Sequence, residues 1–542
     1  MRSSFGAALV ASIFAAGAAS AAKAVNRPYL QSVTPSSAVV VFRADQACPA
    51  QVRFAPTAGG TEQVAASTQS QAQHEVKLEG LKPATEYRYT VEACGSPLET
   101  EHTFRTAPSP GSTTDVHFAA IGDFGKGTAA QTSVADRMLA HDPDVIVTVG
   151  DNIYDDGTDA EFTSNFLRPM GALFAEVPLY PAFGNHDYAA DDLATSLKNF
   201  VVPTNNPIGT ERYYSVDWGN VHFVMLDSIC LMGEASTSEC DVDQQLAWLD
   251  NDLRSTTSHW KVVMMHNVLF SSAKYGARPE EVGPMREMLL PIFEANGVDL
   301  VLSGDDHVYE RSHPMKGTEV APAGTRGITY VVTGHGSEGR NWAMDQQAWS
   351  AYRNNTNVGF LDVKTQGGTL TARMVGADGN TYDTFTIEKP LPPGAAIPVQ
   401  LTATAEPSSG KAPLEVLFSA SAQPEDAEVT WTFAPGQTAT GREVRYRFDV
   451  PGTHEVQVEA RKGDQVSRDS LTVTVEAAEG GTTQPQPDPE QPGQPSTPGA
   501  IIDTRDGEKT SSAKGCTAAG GSVALAGLAA LLFMRRRRGS SR

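Results

Sequence analysis

Five short apolar runs, each ending in a turn that carries carboxylate, amide or imidazole groups, constrain the fold of this chain more than any other feature. Four of them cover residues 116–121, 145–149, 179–183 and 261–265, and a fifth ends just before Ser303. Each has the length of a buried strand and is followed by turn or breaker residues. Because open α/β sheets collect ligands at the carboxyl ends of their strands, we expect the five turns to converge on one site.

The turns supply oxygen and imidazole donors and no thiolate. The candidate donors are Asp123, Asp151, Asn185, His266, Asp305 and His307. This set suits hard to borderline cations such as iron, manganese, zinc or magnesium. A carboxylate can bridge two cations, and cation pairs about 3.5–4 Å apart are a common device for phosphate-ester hydrolysis. The sequence therefore predicts a metal centre that suits such chemistry.

The ordered motifs resemble those of the purple acid phosphatase family of metallophosphoesterases. They read Gly122-Asp123-Phe124-Gly125, Gly150-Asp151-Asn152-Ile153-Tyr154, Gly184-Asn185-His186-Asp187, Val263-Met264-Met265-His266 and Gly304-Asp305-Asp306-His307. The family's last motif is GHxH, so Asp305 stands where a histidine is usual. Five motifs in the family's order make the resemblance specific, and it covers roughly residues 25–390.

The resemblance implies a role for each motif residue. The first ion, typically ferric iron, would be bound by Asp123, Tyr154 and His307, with Asp151 bridging to a second ion on Asn185, His266 and Asp305. His186 would contact the phosphate and protonate the departing oxygen, and Asp187 would orient His186. The implied cofactor is a pair of metal ions, iron together with zinc, manganese or a second iron.

Plainer interpretations stay open for single residues. Aspartate and asparagine after glycine are common in turns, so only the five motifs together favour a metal site. Tyr154 could be a core aromatic residue, and His186 could cap its own loop. Asp305 leaves two outcomes: a carboxylate ligand that favours manganese, magnesium or iron over zinc, or a half-empty site in an inactive protein.

The segment after His266 departs from the family pattern. Family members in plants and animals often carry further histidines there, and this chain has none before Tyr275. Lys274 or Tyr275 is a candidate for phosphate contact instead, with an exposed loop lysine as the plain alternative. An acidic pH optimum is therefore not assumed.

These observations predict a phosphatase that hydrolyses small-molecule phosphomonoesters by attack of a metal-bound hydroxide. The alternatives are a phosphodiesterase or nucleotide phosphatase on the same site, and a surface adhesion protein with a degenerate metal site. A formal net charge of −22 argues against nucleic acid as a partner. The sequence predicts no oligomeric state.

A chain of 542 residues is too long for one core, and its composition divides it into modules. We expect an N-terminal β-sandwich over residues 25–108, in which residues 81–87 resemble a strand-to-strand corner of fibronectin type III domains. We predict the catalytic domain at residues 115–390, with helices at 129–141, 243–254 and 285–296. The family resemblance implies that this domain is an α/β/β/α sandwich. Residues 398–477 resemble a PKD-type β-sandwich, and the Pro/Gln-rich residues 478–515 predict an unpacked, disordered linker.

The two ends of the chain predict export and attachment to the cell envelope. Residues 1–24 resemble a signal peptide, with small residues at 19–21 or 22–24 for cleavage, and a membrane anchor is the alternative. Residues 516–542 combine Cys516, an apolar run and four arginines. They resemble the C-terminal sorting tails of myxobacterial surface proteins, which implies processing near Cys516 and transfer to the cell surface or outer envelope. An uncleaved membrane anchor is the alternative.

Export permits disulfides, and the chain has five cysteines. We pair Cys48 with Cys94 and Cys230 with Cys240, and leave Cys516 in the tail. Sequence alone leaves other pairings open.

Overall fold

The computed structural model describes residues 22–337, 342–393, 398–434, 437–463 and 465–477. Most of the predicted signal peptide, the linker from residue 478 and the tail with Cys516 lie outside the described residues. Within the described ranges, no helix is both long and apolar enough to cross a membrane.

The N-terminal strands belong to one hydrogen-bonded sheet. They are β1 (Tyr29–Gln31), β2 (Ser37–Pro56), β3 (Gln63–Glu79), β4 (Glu86–Ala93), β5 (Ser96–Pro97) and β6 (His102–Arg105). Strand β2 pairs with β3, and it also pairs with β1 near its start and with β4 near its end. The Cys48–Cys94 disulfide joins β2 to the residue after β4, which confirms the predicted pairing.

The predicted corner before β4 is held by Tyr87. Its buried hydroxyl accepts a hydrogen bond from the backbone N–H of Lys82 at 2.9 Å. A tyrosine that bonds back to the backbone a few residues upstream is a known corner in immunoglobulin-like sandwiches. The local geometry agrees with the sequence expectation, and the relation to fibronectin type III domains stays a prediction.

The central region contains two large sheets. Its strands are β7 (Val116–Ile121), β8 (Val145–Val149), β9 (Leu179–Ala182), β10 (Tyr214–Trp218), β11 (Val221–Met225), β12 (Trp260–Met264), β13 (Leu300–Ser303), β14 (Tyr309–Ser312), β15 (Met315–Lys316), β16 (Glu319–Val320), β17 (Thr329–Thr333), β18 (Ser350–Asn354), β19 (Gly359–Gln366), β20 (Thr369–Gly376) and β21 (Thr381–Glu388). One sheet has the order β21-β20-β19-β7-β8-β9, and the other has the order β10-β11-β12-β13-β17-β14-β18. Strands β15 and β16 form a separate ribbon.

The two large sheets pack face to face. Phe118 in β7 meets Phe223 in β11 edge to face, with ring centroids 4.9 Å apart. Alternate residues of both sheets, such as Val147 and Leu302, are fully buried in the same core. The predicted arrangement of two packed sheets is therefore confirmed.

Helices cover the outer faces of both sheets. They are α1 (Ala129–His141), α2 (Asp159–Glu161), α3 (Arg168–Phe174), α4 (Asn185–Tyr188), α5 (Ala194–Asn199), α6 (Ser228–Leu231), α7 (Val242–Ser255) and α8 (Pro279–Asn296), with a π-helical turn at Phe162–Leu167. Helices α1 and α3 share a core with Ile146 of the first sheet, and α7 and α8 share one with Val263 of the second. The result is the expected α/β/β/α layering.

Helix α8 is longer than its predicted range of residues 285–296. Pro279 lies in the first turn, where a proline loses no hydrogen bond that the helix uses. Pro284 also lies inside the helix, one residue before the predicted start. The apolar spacing that placed this helix begins at Met285 and missed the first turns, which carry two prolines and two glutamates.

The C-terminal described region is a β-sandwich. Its strands are β22 (Gln400–Glu406), β23 (Ser409–Lys411), β24 (Leu414–Gln423), β25 (Glu428–Ala434), β26 (Gln437–Thr440), β27 (Glu443–Phe448), β28 (Gly452–Lys462) and β29 (Gln465–Glu476). A three-stranded sheet of β22, β24 and β27 faces a five-stranded sheet with the order β23-β29-β28-β25-β26. Trp431 is fully buried in the core between them. The predicted C-terminal β-sandwich is therefore confirmed.

Candidate metal centre

The five predicted turns meet at one edge of the two packed sheets. Strands β7, β8 and β9 are parallel neighbours in one sheet, and β12 and β13 are parallel neighbours in the other. The N–H of Gly122, just after β7, donates to the carbonyl of Thr333 at the end of β17, 3.1 Å away. This bond joins the carboxyl ends of the two sheets, so the side chains that follow these strands face a common space.

Four donors form the first group, namely Asp123, Asp151, Tyr154 and His307. Ligand atoms of Asp123, Asp151 and His307 all lie within 4.8 Å of one another. The Tyr154 hydroxyl lies 2.7 Å from Asp151 Oδ2, 3.2 Å from Asp123 Oδ1 and 3.2 Å from His307 Nε2. The single hydroxyl proton can be donated to only one of the two carboxylates, and the hydroxyl, carboxylate and imidazole groups converge on one small space of the kind that holds a cation.

The second group centres on His266. Its Nδ1 lies 2.9 Å from the carbonyl of Val149, to which it must donate, so Nε2 carries the lone pair. That Nε2 lies 3.1 Å from Asn185 Oδ1 and 3.9 Å from Asp305 Oδ1. A backbone carbonyl that fixes the tautomer of an imidazole is the usual support for a metal-binding histidine.

Asp151 lies between the two groups. Its Oδ2 faces Tyr154, whereas its Oδ1 lies 3.4 Å from His266 Nε2 and accepts the backbone N–H of His186 at 2.9 Å. Each carboxylate oxygen thus faces a different donor group. This is the arrangement that a bridging ligand needs.

The buried carboxylates repel one another electrostatically. Burial, with the nearby Asp151 and Asp305, raises the pKa of Asp123 well above its ordinary value. The pKa of Asp305 is also raised well above its ordinary value, by burial and by the charges of Asp306, Asp151 and Glu281. A cation among them would offset this repulsion, so the donor chemistry fits bound metal.

The backbone at the centre is unusual. Asp123, Asp151 and Asp305 have φ values of 55°, 50° and 65°, in the left-handed region that side-chain-bearing residues rarely adopt. Aspartate tolerates this region better than most residues, and such strain concentrates at functional sites. A Cβ added to Gly184 would lie 2.3 Å from Asp151 Oδ1, so only glycine lets the two loops approach this closely.

Asp187 positions loops rather than contacting the donor groups directly. Its fully buried carboxylate accepts the N–H groups of Gly184 at 2.8 Å, Asn152 at 3.1 Å and Ile153 at 3.2 Å, and the Asn152 side-chain amide at 3.0 Å. Burial and the charge of Asp151 raise the pKa of Asp187 to about 7, against the opposing effect of these N–H donors. Asp187 therefore ties the loop of Asp151 to the loop of Asn185.

His186 stands at the mouth of the centre. Its Nδ1 donates to the carbonyl of Asp155, which takes the orienting role expected of Asp187. Its Nε2 lies 3.9 Å from Asp151 Oδ2, and its ring stands 4.3 Å from the Tyr154 ring, centroid to centroid. The side chain is 35% exposed, so Nε2 can reach a bound substrate.

Three residues that sequence reasoning did not single out also support the centre. Asn152 holds Asp187, Asp306 accepts backbone N–H groups from the loop at residues 275–276, and the Lys126 ammonium lies 4.7 Å from the centroid of the Tyr154 ring. All three occupy variable positions within or just after the motifs. Nothing in residue type distinguishes them from ordinary turn residues.

The Asp187 carboxylate gives a direct test of loop positioning. In Asp187→Asn, an amide N–H would face N–H donors that now bond to an oxygen, so the loops of Asp151 and Asn185 should loosen. We expect metal affinity to fall by about tenfold or more, as for other supporting residues of metal sites. The measurement is metal content after dialysis at graded metal concentrations.

The exposed Asp156, two residues after Tyr154, provides the matched control, since Asp156→Asn should bind metal like the parent protein. Parent-like metal affinity in folded Asp187→Asn would contradict the positioning role.

Comparison with known proteins agrees with this geometry. Residues 116–309 match the calcineurin-like phosphoesterase family, and residues 400–477 match the PKD domain family. Purple acid phosphatase 15 of Arabidopsis thaliana is 30% identical over 308 residues, which cover 50% of this chain and 55% of that protein. Purple acid phosphatase 17 of the same plant is 31% identical, over 39% of this chain and 66% of that protein.

Solved structures show the same fold. The purple acid phosphatase PPD1 from yellow lupin (Lupinus luteus) seeds superposes with a TM-score of 0.57 at 21% identity, over 67% of this chain and 75% of the lupin chain. The match to purple acid phosphatase 15 spans only about half of that protein's length. Residues 116–309 thus belong to a calcineurin-like metallophosphoesterase domain with homologues among the purple acid phosphatases, and residues 400–477 form a PKD domain.

Proposed function

We propose that this protein is a dinuclear metal-dependent phosphatase that hydrolyses small-molecule phosphomonoesters. The observation that carries the proposal is the position of Asp151, whose two carboxylate oxygens face two adjacent donor groups. The calcineurin-like phosphoesterase match over residues 116–309 supports the same chemistry.

The proposed cofactor is iron paired with zinc, manganese or a second iron. Two such ions would supply a nucleophile from water at neutral pH and neutralise charge on the phosphoryl oxygens. The first group, with Tyr154 as its phenol ligand, would hold the iron. The second group, with Asn185, His266 and Asp305, would hold the other ion.

His186 has the geometry of a general acid in this proposal. Because Nδ1 donates to the Asp155 carbonyl, the proton that can be transferred is the one on Nε2, the atom that faces the centre. Protonated His186 would bind the phosphate oxygen and give this proton to the departing alkoxide. The ring contact with Tyr154 keeps the imidazole from turning away.

Asp305 adapts the second group to harder ions. A carboxylate replaces the usual imidazole, and it is buried beside His266 and accepts from Asn267 Nδ2 at 3.4 Å. Oxygen donors favour manganese, magnesium and iron relative to zinc. We therefore infer a working centre with shifted metal preference rather than a degenerate one.

We also infer that the protein is exported and attached to the cell surface. The disulfides Cys48–Cys94 and Cys230–Cys240 support an oxidising compartment. Val25 donates its N–H to the Arg43 carbonyl and Ala24 bridges to Ala44, so signal cleavage after residue 21 would keep these contacts. The fibronectin type III-like N-terminal domain and the sorting tail remain parts of this proposal.

Asp305→His tests the assignment of the second group. An imidazole there should raise zinc affinity and zinc-supported phosphatase activity relative to manganese, because imidazole is the softer donor. Metal content and activity are measured after reconstitution with each ion. Asp449→His, on an exposed site of the PKD domain, controls for an added histidine. If neither metal content nor activity responds to Asp305→His, Asp305 is not a ligand.

His186→Ala tests the proton transfer. For an alkyl phosphate, whose leaving group needs a proton, we expect kcat to fall by about 10²–10⁴-fold. For p-nitrophenyl phosphate the loss should be much smaller, because the nitrophenolate leaves without protonation. Exposed His313→Ala is the matched control and should leave both rates unchanged. Equal losses on the two substrates would rule out the general-acid role.

The phosphodiester bis(p-nitrophenyl) phosphate, assayed with the same iron, manganese and zinc preparations, separates a diesterase from a monoesterase. Absence of phosphate release from any monoester with any of these metals would overturn the proposed function.

A further inference from the structure

A cationic cluster stands on the loop that follows His266. It consists of Lys274, Tyr275 and Arg278, just before helix α8. Lys274 Nζ donates to the Tyr275 hydroxyl at 2.6 Å and lies 4.0 Å from the ring centroid, and the Arg278 guanidinium carbon lies 4.8 Å from the same centroid. Lys274 is exposed, and Tyr275 and Arg278 are half-buried. Two cations and a hydroxyl therefore share one small patch.

The loop is fixed to the metal centre by a buried carboxylate. Asp306, which lies between Asp305 and His307, accepts the N–H of Tyr275 at 3.0 Å and the N–H of Gly276 at 3.1 Å. Asp306 is only 2% exposed, so these bonds are shielded from water. The backbone that carries the cluster is thus attached directly to the segment that carries two candidate ligands.

A second buried carboxylate secures the start of the loop. Glu310 is 1% exposed and accepts the Ser272 N–H at 2.6 Å and the Ser272 hydroxyl at 2.7 Å. The Tyr275 ring packs against a small apolar cluster that includes Val308. The loop is therefore held at both ends, and the cluster has a defined position beside the centre.

The cluster lies on the Asp305 side. Arg278 Nη1 pairs with Glu281 Oε1 at 2.6 Å, and Glu281 is near enough to act electrostatically on Asp305. Glu281 pairs with Arg278 and Glu280 also acts on it, so Lys274, whose contacts are with Tyr275, is the cation of the cluster that is best placed to meet an anion. In a chain with a net charge of −22, an exposed lysine with a neighbouring arginine and hydroxyl beside the proposed phosphate-binding centre would favour one kind of substrate.

We propose that Lys274, the Tyr275 hydroxyl and Arg278 form an anion subsite that binds a second phosphate group on the leaving group of the substrate. This inference rests on the proposed phosphatase function. The preferred substrates are then phosphomonoesters whose leaving alcohol carries another phosphate. The first phosphate reacts at the metal centre while the second is held by the cluster, which positions the ester for attack.

The test compares alkyl phosphates with and without a second phosphate. Phosphate release is measured for propyl phosphate and for alkanediol bisphosphates with two to six carbons, so that the spacing between the two sites is sampled. Each bisphosphate has two equivalent phosphates, so the parent protein should show a kcat/KM for at least one bisphosphate that exceeds that for propyl phosphate by clearly more than this statistical factor of about two. A carboxylate-bearing analogue, 3-phosphooxypropanoate, shows whether any anion suffices.

Variants of the cluster sharpen the test. Lys274→Gln or Arg278→Gln should lower the ratio of kcat/KM for the bisphosphate to kcat/KM for propyl phosphate by about tenfold. A loss of this size is expected because each substitution removes one charge-assisted hydrogen bond. Glu281→Gln should raise the ratio, since it removes the charge that offsets Arg278. Because both substrates would react at the same metal centre, any change in the centre itself cancels in this ratio. Lys316→Gln, an exposed lysine on the β15–β16 ribbon, should leave the ratio unchanged.

Two results would overturn the subsite: a parent protein with no bisphosphate preference at any spacing, or a ratio that Lys274→Gln and Arg278→Gln leave unchanged. If the parent protein releases no phosphate from any of these substrates, the proposed function fails. The subsite is then judged by calorimetric binding of 1,3-propanediol bisphosphate to the metal-loaded protein. Affinity unaffected by Lys274→Gln overturns the subsite, and weaker binding supports it.

Discussion

The convergence of carboxylate, phenol, amide and imidazole groups on one small space is the constraint on which this structure depends. The Tyr154 hydroxyl lies within 3.2 Å of oxygens of Asp123 and Asp151 and of His307 Nε2, and His266 Nε2 lies within 3.9 Å of oxygens of Asn185, Asp151 and Asp305. The three buried carboxylates among them, Asp123, Asp151 and Asp305, lose hydration and repel one another unless a cation lies between them. The loops that hold them must therefore be rigid before any metal arrives.

The fold provides that rigidity from outside the centre. Two packed sheets, buried at their central strands, place five strand ends at one edge, and Asp187 and Asp306 then hold the loops through backbone N–H groups. The left-handed backbone at Asp123, Asp151 and Asp305 turns each chain sharply after its strand. Strain at these positions is offset by packing in the sheets, which is how folded proteins commonly support strained functional sites.

Much of this arrangement could be predicted from the sequence, because strand-length apolar runs ending in polar turns are local signals. Strands β7 and β8 begin and end where the pattern placed them, and all the predicted donor side chains lie at one sheet edge. The contacts of Asp187 and Asp306 could not be predicted, since their partners are backbone N–H groups of distant loops. The start of helix α8 was missed because its first turns, with two prolines and two glutamates, show little of the apolar spacing that identifies the rest of the helix. The orientation of His186 could not be predicted either, because its Nδ1 donates to the backbone carbonyl of Asp155, a contact that only the tertiary structure creates.

Elemental analysis of the purified protein, together with its visible spectrum, tests the central claim most directly. Two neighbouring donor groups that share Asp151 predict about two metal ions per chain, as in other two-metal sites. They also predict a charge-transfer band, from the Tyr154 phenolate on ferric iron, that disappears in Tyr154→Phe. A folded protein that holds no metal, or a single ion whose binding Asp151→Asn leaves unchanged, would contradict the account.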